Sequence, residues 1–206
     1  MSESPVVDKP GLRERKKAKT RAAIQEHALR LFREQGYDAT TVEQIAEAAE
    51  VSPSTFFRYF PTKEDVVAYD ALDPLVMAAW RAQPADMKPI AAMRKAMWDV
   101  FASMDQGDLG EMMDRGRLLF GQPELRQAAI GEMVRTGRMV ADELAARLGR
   151  PADDFEVRVF AGATLGAIMS VLEPMIEDPS LMQGSGADLL KLVDRALTFL
   201  DEGLPL

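Results

Sequence analysis

Apolar residues recur at helical spacing along most of the chain, and no stretch alternates between apolar and polar residues as a half-buried β-strand does. The first periodic segment covers residues 12–35 and is followed by Gly36, a residue type that commonly closes a helix. Its apolar side chains fall at i, i+4, i+7 and i+8: Ile24, Ala28, Leu31 and Phe32. The pattern predicts an all-α fold.

Capping signals predict three short helices after the first. Thr41, followed three residues later by a glutamine, forms a capping-box pattern that opens the second helix. Ser52 is a good N-cap and Pro53 is preorganised for the first helical position, so the third helix starts there. Pro61 ends it, because the residue before a proline avoids helical dihedral angles. A capping-type signature at residues 62–65 opens the fourth helix.

The rest of the chain is also predicted to be helical, with breaks at prolines and glycines. These breaks include Gly107, Pro174 and a loop at residues 177–186. The predicted helices cover residues 63–83 (bent near Pro74), 88–104, 109–120, 123–149, 153–174 and 186–201.

This organisation predicts a tail and two domains. Residues 1–12 contain two prolines, a glycine and few apolar residues, which is typical of a disordered tail. Residues 13–66 would form a small domain of short helices. Residues 67–206 would form a larger helical domain.

Composition narrows the class of protein. Of the 206 residues, 47% are hydrophobic and 28% are charged, which is ordinary for a globular protein. The absence of cysteine excludes disulfides and cysteine nucleophiles, and a single histidine disfavours a zinc site. No nucleophile–base pair is visible, so no catalytic residue, metal or cofactor is predicted. No signal peptide is visible, and the longest uncharged stretch, residues 159–172, is shorter than the ~20 residues of a membrane span. We therefore expect a cytoplasmic protein without a membrane partner.

Charge is unevenly distributed. The net charge is −8, yet residues 13–21 carry six cations and one anion. Because a phosphate responds to the local field, this basic segment is a candidate for sequence-independent attraction to DNA. The alternative is an ordinary solvated surface. The candidate residues in the segment are Arg13, Arg15, Lys16 and Lys17.

The third predicted helix concentrates aromatic residues on one face and polar residues on another. The rings at i, i+3 and i+4 are those of Phe56, Tyr59 and Phe60. They would anchor a helix of only two turns. The other face carries Ser54, Phe57 and Arg58, which burial does not explain. A short helix of this kind suits a DNA major groove, with Arg58 directed at guanine or phosphate and Phe57 at a thymine methyl group.

The segment "TTVEQIAEAAEVSPSTFFRYFPTKEDVV", residues 40–67, strongly resembles the DNA-binding segment of the tetracycline-repressor (TetR) family of bacterial transcription regulators. The resemblance covers residues 15–67 and implies a helix-turn-helix domain. Many relatives carry, at the position of Phe57, a tyrosine whose hydroxyl binds a phosphate, a contact that Phe57 cannot make. Beyond the basic segment, the predicted DNA-binding residues are Thr41, Ser52, Pro53, Ser54, Thr55, Phe57, Arg58, Tyr59 and Lys63.

The resemblance further implies a C-terminal domain that binds a small molecule and dimerises through its last two helices. The stretch "YDALDPLVMAAWRAQPADMKPIAAMRKAM" is similar to an actinobacterial subgroup, which implies an acyl-coenzyme A-like or other hydrophobic effector. Methionines and aromatic residues are suited to an adaptable pocket, although core packing is the alternative for each of them. The candidate pocket residues are Met97, Trp98, Phe101, Met113, Arg117, Phe120 and Met133.

Two stripes in the last predicted helices are candidates for the dimer interface. Small residues repeat every four positions in the first stripe. Each glycine there costs the helix ~1 kcal/mol relative to alanine, and the close approach of another helix would compensate for this cost. The second stripe is apolar. The candidates are Gly162, Gly166 and Ser170 in the first, and Leu189, Leu192, Val193, Ala196 and Leu200 in the second.

The resulting hypothesis is a homodimeric repressor that binds a pseudo-palindromic operator and is released by a small molecule. Two alternatives remain open. One is a nonspecific or architectural DNA-binding protein, which binding without sequence preference would favour. The other is a helical enzyme acting on a lipid-like substrate, which turnover of such a substrate would favour.

Overall fold

The computed structural model describes residues 11–178 and 185–205, and every regular element within these ranges is an α-helix. The predicted all-α class is confirmed. The chain divides into two compact units at the bond between Val66 and Val67. The predicted tail lies outside the described residues except for Gly11 and Leu12, and the first helix already begins at Leu12.

The first unit contains one long helix, followed by three short helices that begin where the capping signals predict. Thr41 Oγ1 accepts the Gln44 N–H at 3.3 Å, while Gln44 Oε1 accepts the Thr41 N–H at 2.9 Å, so both halves of the capping box form. Ser52 Oγ accepts the Thr55 N–H at 3.1 Å. Gly36 ends the first helix with φ +89°, which glycine adopts without strain. The helices are α1 (Leu12–Gln35), α2 (Val42–Ala48), α3 (Pro53–Tyr59) and α4 (Lys63–Ala68), whose last two residues belong to the second unit.

The core of the first unit follows the predicted apolar periodicity. Helix α1 contributes one face, and α2 and α3 contribute the rings and aliphatic side chains that cover it. Leu31 remains partly exposed, and Leu29 is buried instead. The buried apolar side chains of this core include those of Ile24, Ala28, Phe32, Ile45, Ala46, Phe56 and Phe60.

The second unit contains six further helices in its described residues. They enclose an apolar core in which the Trp80 and Phe160 rings stack with centroids 6.4 Å apart. The helices are α5 (Asp73–Arg81), α6 (Pro89–Ala102), α7 (Gln106–Gly121), α8 (Pro123–Leu148), α9 (Phe155–Glu177) and α10 (Gly186–Asp201).

The predicted single helix over residues 63–83 is wrong, because α4 and α5 are separated by residues 69–72. The side chain of Arg115 donates to the carbonyl oxygens of Val67, Ala68 and Tyr69, each at 3.3 Å, which are the carbonyls that a continuing helix would use internally. Pro74 then lies in the first turn of α5, where its missing N–H costs nothing. This proline starts a helix and does not bend one.

Two other predicted breaks are also wrong. Helix α7 starts at Gln106, so Gly107 lies in its first turn, because Asp105 and Asp108 form a capping box. Helix α9 continues through Pro174 to Glu177. Pro174 and Ser170 are exposed, so water can satisfy the carbonyl that the proline leaves without a helical partner.

Helix α9 has an exposed apolar surface. It is the one described helix that is long and apolar enough to cross a membrane by length and composition, yet only 17% of that window is buried within the chain. Phe155 is 70% exposed and Val159 is 51% exposed. The apolar surface of α9 is therefore largely uncovered by the rest of the described chain.

Candidate nucleic-acid interface

Helix α3 separates buried rings from an exposed face, as the sequence predicts. Phe56 is fully buried and Phe60 nearly so, with ring centroids 6.1 Å apart. Phe57 is 49% exposed, and its ring centroid lies 5.5 Å from that of Phe56 with the two rings nearly perpendicular. Ser54 and Arg58 are exposed on the same side as Phe57. The helix is therefore held from within while it presents a hydroxyl, a ring and a guanidinium outward.

The N-terminal turn of α3 carries a cluster of hydroxyl groups. Ser52 Oγ donates to Thr55 Oγ1 at 3.0 Å and lies 3.2 Å from Ser54 Oγ. Ser52, Pro53 and Ser54 are exposed, whereas Thr55 is half-buried. Such a cluster offers both donors and acceptors to base edges or phosphates.

Arg58 and Tyr59 lie against each other at the end of α3. The Arg58 guanidinium carbon is 5.5 Å from the centroid of the Tyr59 ring, a cation–π contact. Tyr59 is half-buried, so its ring is only partly core. The contact restricts the Arg58 side chain. The guanidinium that it orients can form two parallel hydrogen bonds to a guanine or a phosphate.

The basic segment forms the first turns of α1. Arg13, Arg15, Lys16 and Lys17 are all exposed, which is the condition for attracting phosphates. Thr41 is also exposed, although its hydroxyl already caps α2.

Lys63, a predicted DNA-binding residue, makes contacts within its own unit. Its ammonium donates to the carbonyl oxygens of Tyr37 at 2.9 Å and Thr40 at 3.1 Å, and it lies 4.0 Å from the centroid of the Tyr37 ring. The Tyr37 hydroxyl donates to Glu64 Oε1 at 2.7 Å. Burial acts to raise the pKa of Glu64, but the hydrogen bond from Tyr37 and further contacts outweigh it, so this pKa lies below its usual value.

Arg21, the last cation of the basic segment, is a structural residue. Its Nη2 donates to the Tyr59 carbonyl at 3.2 Å, and its guanidinium carbon is 5.5 Å from the Phe60 ring centroid. A cation at this end of α3 is favoured by the helix dipole. The signal was present, because Arg21 precedes Ile24 by three residues and Ala28 by seven and so shares their buried face.

In the second unit, the seven candidate pocket residues are dispersed. Met113 and Phe120 are buried, Met97, Phe101 and Met133 are half-buried, and Trp98 and Arg117 are exposed. Met97 packs against the core around Trp80, and Arg117 pairs with Asp114 on its own helix. Neither of the two grooves described in this unit is lined by any of the seven. The pocket stays a prediction.

A cluster of charged side chains lies where α4 gives way to α5. Arg115 binds Asp70 at 2.6 Å in addition to its three carbonyls, and Glu132 accepts the Asp70 N–H at 3.3 Å and pairs with Arg135. Asp73 accepts a hydrogen bond from the Thr136 hydroxyl. Burial raises the pKa of Asp73 to about 6, and the neighbouring Asp70 carboxylate adds to this effect.

The small-residue stripe of α9 faces outward. Gly162, Gly166 and Ser170 are exposed, and a Cβ added to either glycine would meet no other atom within 4 Å. No part of the described chain therefore occupies the space beside the two glycines.

The predicted apolar stripe of α10 is divided between two faces. Leu192 is exposed, and Leu189, Ala196 and Leu200 are half-buried. Val193 is only 5% exposed, so the prediction that it lies at an interface needs correction: it packs inside its own chain with Leu190 and Leu197. Phe199, which the prediction omitted, is 37% exposed. A shallow groove of about 620 Å³ runs here, with Val171, Leu192 and Phe199 in its lining.

Two family matches cover most of the chain. Residues 24–69 match the family described as bacterial regulatory proteins, tetR family. Residues 87–205, more than half of the chain, match the MftR C-terminal domain of TetR-type regulators. The chain belongs to the TetR family. It is therefore a DNA-binding transcriptional regulator, and the TetR family is not a family of enzymes.

Individual TetR-family relatives agree in both sequence and fold. TcmR of Streptomyces glaucescens is 47% identical over 102 residues, which are 48% of this chain and 45% of TcmR. MftR of Mycobacterium tuberculosis is 25% identical over 169 residues, 81% of this chain and 85% of MftR. The structure of Thermus thermophilus FadR, a TetR-family repressor in complex with lauroyl-CoA, superposes with a TM-score of 0.55 at 26% identity and covers 90% of this chain and 95% of that one.

Proposed function

We propose that this TetR-family regulator is a repressor that binds a pseudo-palindromic operator as a homodimer and is released by an acyl-coenzyme A-like effector. The observation that carries the proposal is the exposed face of α3, where Ser54, Phe57 and Arg58 project from a helix that buried rings hold in place. The repressor acts in the cytoplasm, where its DNA lies.

The chemistry of the exposed α3 face suits the major groove. Arg58 can donate two hydrogen bonds to a guanine, the serine hydroxyls can bind base edges or phosphates, and Phe57 can contact a thymine methyl group. The exposed cations of the basic segment add attraction that does not depend on sequence. Because Phe57 has no hydroxyl, this regulator reads an apolar feature of the groove at this position and binds no phosphate there.

A homodimer accounts for the exposed face of α9. A second copy that brings its own α9 and α10 against this face would cover Phe155, Val159 and Leu192, and the glycines would permit close helix approach. Dimers of helix-turn-helix proteins bind half-sites about 34–36 Å apart, one helical turn of DNA. A palindromic operator follows from the two-fold symmetry of such a dimer.

The acyl-coenzyme A-like effector is supported by two similarities. One is the resemblance of residues 69–97 to regulators with such ligands, and the other is the likeness of fold and sequence to FadR, which was crystallised with lauroyl-CoA. The mixture of methionines and aromatic residues in α6 and α7 suits a long apolar chain. Binding of such a chain would favour one conformation of the second unit over another.

The test is a titration of labelled duplex DNA from the region flanking the protein's own gene. We expect tight binding to one site, and for Arg58→Ala a loss of about tenfold to 100-fold in affinity, the value of a bidentate base contact. Arg30→Ala, which removes an exposed α1 cation paired with Glu34, is the matched control and should bind almost as the wild type. Equal affinity for unrelated duplexes would instead favour an architectural DNA-binding protein, and wild-type affinity in Arg58→Ala would contradict the proposed face.

A further inference from the structure

The ammonium of Lys63 is directed into its own unit. Two of its three N–H donors are used by the carbonyl oxygens of Tyr37 and Thr40, at 2.9 and 3.1 Å, and its charge lies over the Tyr37 ring at 4.0 Å. A phosphate would have to compete with these three contacts. Lys63 is half-buried, in contrast to the exposed Lys16 and Lys17.

Tyr37 is held by two successive residues of α4. Tyr37 is 8% exposed, its ring contacts the Lys63 ammonium, and its hydroxyl donates to Glu64 Oε1 at 2.7 Å. The first turn of α4 therefore contacts the segment between α1 and α2 through both the ring and the hydroxyl of Tyr37. We name this arrangement of Tyr37, Thr40, Lys63 and Glu64 the Lys63 clamp.

The turn that the clamp holds leads directly into α2. Thr40 is 1% exposed, and its hydroxyl donates to the Gly36 carbonyl at 2.7 Å and accepts from Gln35 Nε2 at 3.1 Å. The next residue, Thr41, is the N-cap of α2. Gln35 Nε2 also donates to Gln44 Oε1 at 2.9 Å, so the turn, the cap and the first turn of α2 are connected by hydrogen bonds. Because α2 packs on α3, a change in the orientation of the turn would be passed to the exposed α3 face through α2.

We propose that Lys63 is a positioning residue that locks the α1–α2 turn, and so aligns α3 for DNA, and that it is not a phosphate ligand. The expected change in operator affinity rests on the proposed function, whereas the expected change in thermal stability does not. Without the clamp, a smaller fraction of molecules holds α3 in the binding-competent orientation, and the apparent dissociation constant rises by the inverse of that fraction.

Salt dependence separates positioning from phosphate binding. Each phosphate contact that is lost reduces the slope of log K against log salt concentration by about 0.9, whereas a smaller competent fraction lowers affinity equally at every salt concentration. The variants are Lys63→Met, Tyr37→Leu, the double variant and, as the matched control, Lys17→Met. Operator affinity is measured between 50 and 200 mM salt, about the range in which such slopes are resolved, and thermal unfolding is followed by circular dichroism.

We expect Lys63→Met to lower affinity about tenfold with an unchanged salt slope and to lower Tm. Tyr37→Leu, which retains all charges, should do the same, and the double variant should be little worse than either single variant because both remove one clamp. Lys17→Met should reduce the slope and leave Tm unchanged. If Lys63→Met does not accumulate as folded protein, Lys63→Arg replaces it, since a phosphate ligand predicts wild-type affinity for arginine and the clamp predicts a loss.

The proposal is overturned if Lys63→Met reduces the salt slope as Lys17→Met does while Tm stays unchanged, or if the effects of Lys63→Met and Tyr37→Leu simply add. Failure of the wild type to bind DNA would reject the proposed function alone. In that case the unfolding measurements still decide the clamp, through the non-additive loss of stability in the double variant.

Discussion

The pKa of the Asp73 carboxyl group is subject to two opposing effects. It lies at the start of α5, where a negative charge is favoured by the helix dipole, and it accepts a hydrogen bond from Thr136. It is also mostly buried and close to the Asp70 carboxylate, and these two factors raise its pKa to about 6 from the usual 3.8. The folded protein therefore holds a proton on Asp73 at pH values where the unfolded chain has released it.

Replacing Asp73 with asparagine should stabilise the protein above pH 6. Since the folded pKa exceeds the unfolded value, the stability contributed by this group is fully present below about pH 4 and is lost as the pH rises through 6. At pH 8 the wild type bears the cost of a buried charge, and Asp73→Asn removes it while retaining an acceptor for Thr136. We expect a gain of about 1–2 kcal/mol in the free energy of unfolding at pH 8, less than the shift alone implies because the group is partly solvated.

The measurement is thermal unfolding of Asp73→Asn and wild type at pH 4, 6 and 8 by calorimetry. The difference between them should shrink toward zero as the pH falls to 4. Asp86→Asn, at an exposed position, is the control and should show no such trend. A variant that is less stable than the wild type at pH 8, by an amount that does not change with pH, would contradict the assignment.

Side chains whose partners are close in sequence could be predicted, and those with distant partners could not. Thr41 and Ser52 cap helices through N–H groups three residues ahead, so a local pattern reveals them. Lys63 binds Thr40 across 23 positions and Arg21 binds Tyr59 across 38, contacts that exist only after the helices have packed. Sequence periodicity therefore located the exposed α3 face, but it revealed neither the contacts of Lys63 with the α1–α2 turn nor those of Arg21 with the end of α3.

At the scale of elements, the same distinction explains the helix boundaries. Nine of the ten observed helices start within three residues of a predicted start, because caps, prolines and glycines act locally. The exception is α5. Its start depends on Arg115, which lies 46 to 48 positions away and donates hydrogen bonds to the carbonyl oxygens of residues 67–69 before the helix. The sequence predicts a break at Pro174 because proline usually ends a helix. Pro174 is tolerated within α9 because it is exposed, and this exposure is a property of the folded chain that the sequence does not show.

The outer face of α9 and α10 gives a direct test of dimerisation. Leu192 is 46% exposed and lines the groove of about 620 Å³. If a second copy covers this face, Leu192→Asp would bury a carboxylate without a partner, which costs several kcal/mol. We expect the dimer dissociation constant to rise by at least about 100-fold, and sedimentation velocity at micromolar concentration to show a monomer that retains the wild-type helix content.

Ile130→Asp is the matched control for Leu192→Asp. Ile130 is 61% exposed on α8 and belongs to neither proposed stripe, so its replacement should leave the dimer intact. A Leu192→Asp protein that remains dimeric would move the interface elsewhere. A wild type that is monomeric at micromolar concentration would contradict both the proposed homodimer and the pseudo-palindromic operator that follows from its symmetry.

At the scale of the whole molecule, α4 is the described helix that crosses the boundary between the two units. Lys63 to Val66 belong to the first unit, and Val67 and Ala68 belong to the second. Lys63 holds one end of the helix to the α1–α2 turn, while Arg115 holds the carbonyls at the other end. An effector that changed the hold of Arg115 would act on the same short helix that carries the Lys63 clamp.

If an effector weakens operator binding, as we propose, Arg115 should govern the size of that effect. An effector that binds both conformations equally changes nothing, whereas a 100-fold preference for the released one supplies about 2.7 kcal/mol of coupling. With lauroyl-CoA as the probe, we expect the operator dissociation constant of the wild type to rise about 100-fold at saturation. In Arg115→Met, lauroyl-CoA should still bind by calorimetry, but the rise should be less than about tenfold because the hold on α4 is already lost.

Lys95→Met is the control for this comparison. Lys95 lies on α6, is exposed, and pairs with Asp99 of its own helix, so its loss removes one positive charge without touching α4. It should respond to lauroyl-CoA as the wild type does, and free coenzyme A should have no effect on any of the three proteins. An equal response in Arg115→Met and the wild type would exclude Arg115 from the coupling. Absence of lauroyl-CoA binding to the wild type would instead reject the acyl-coenzyme A-like effector and leave the DNA-binding face as it is.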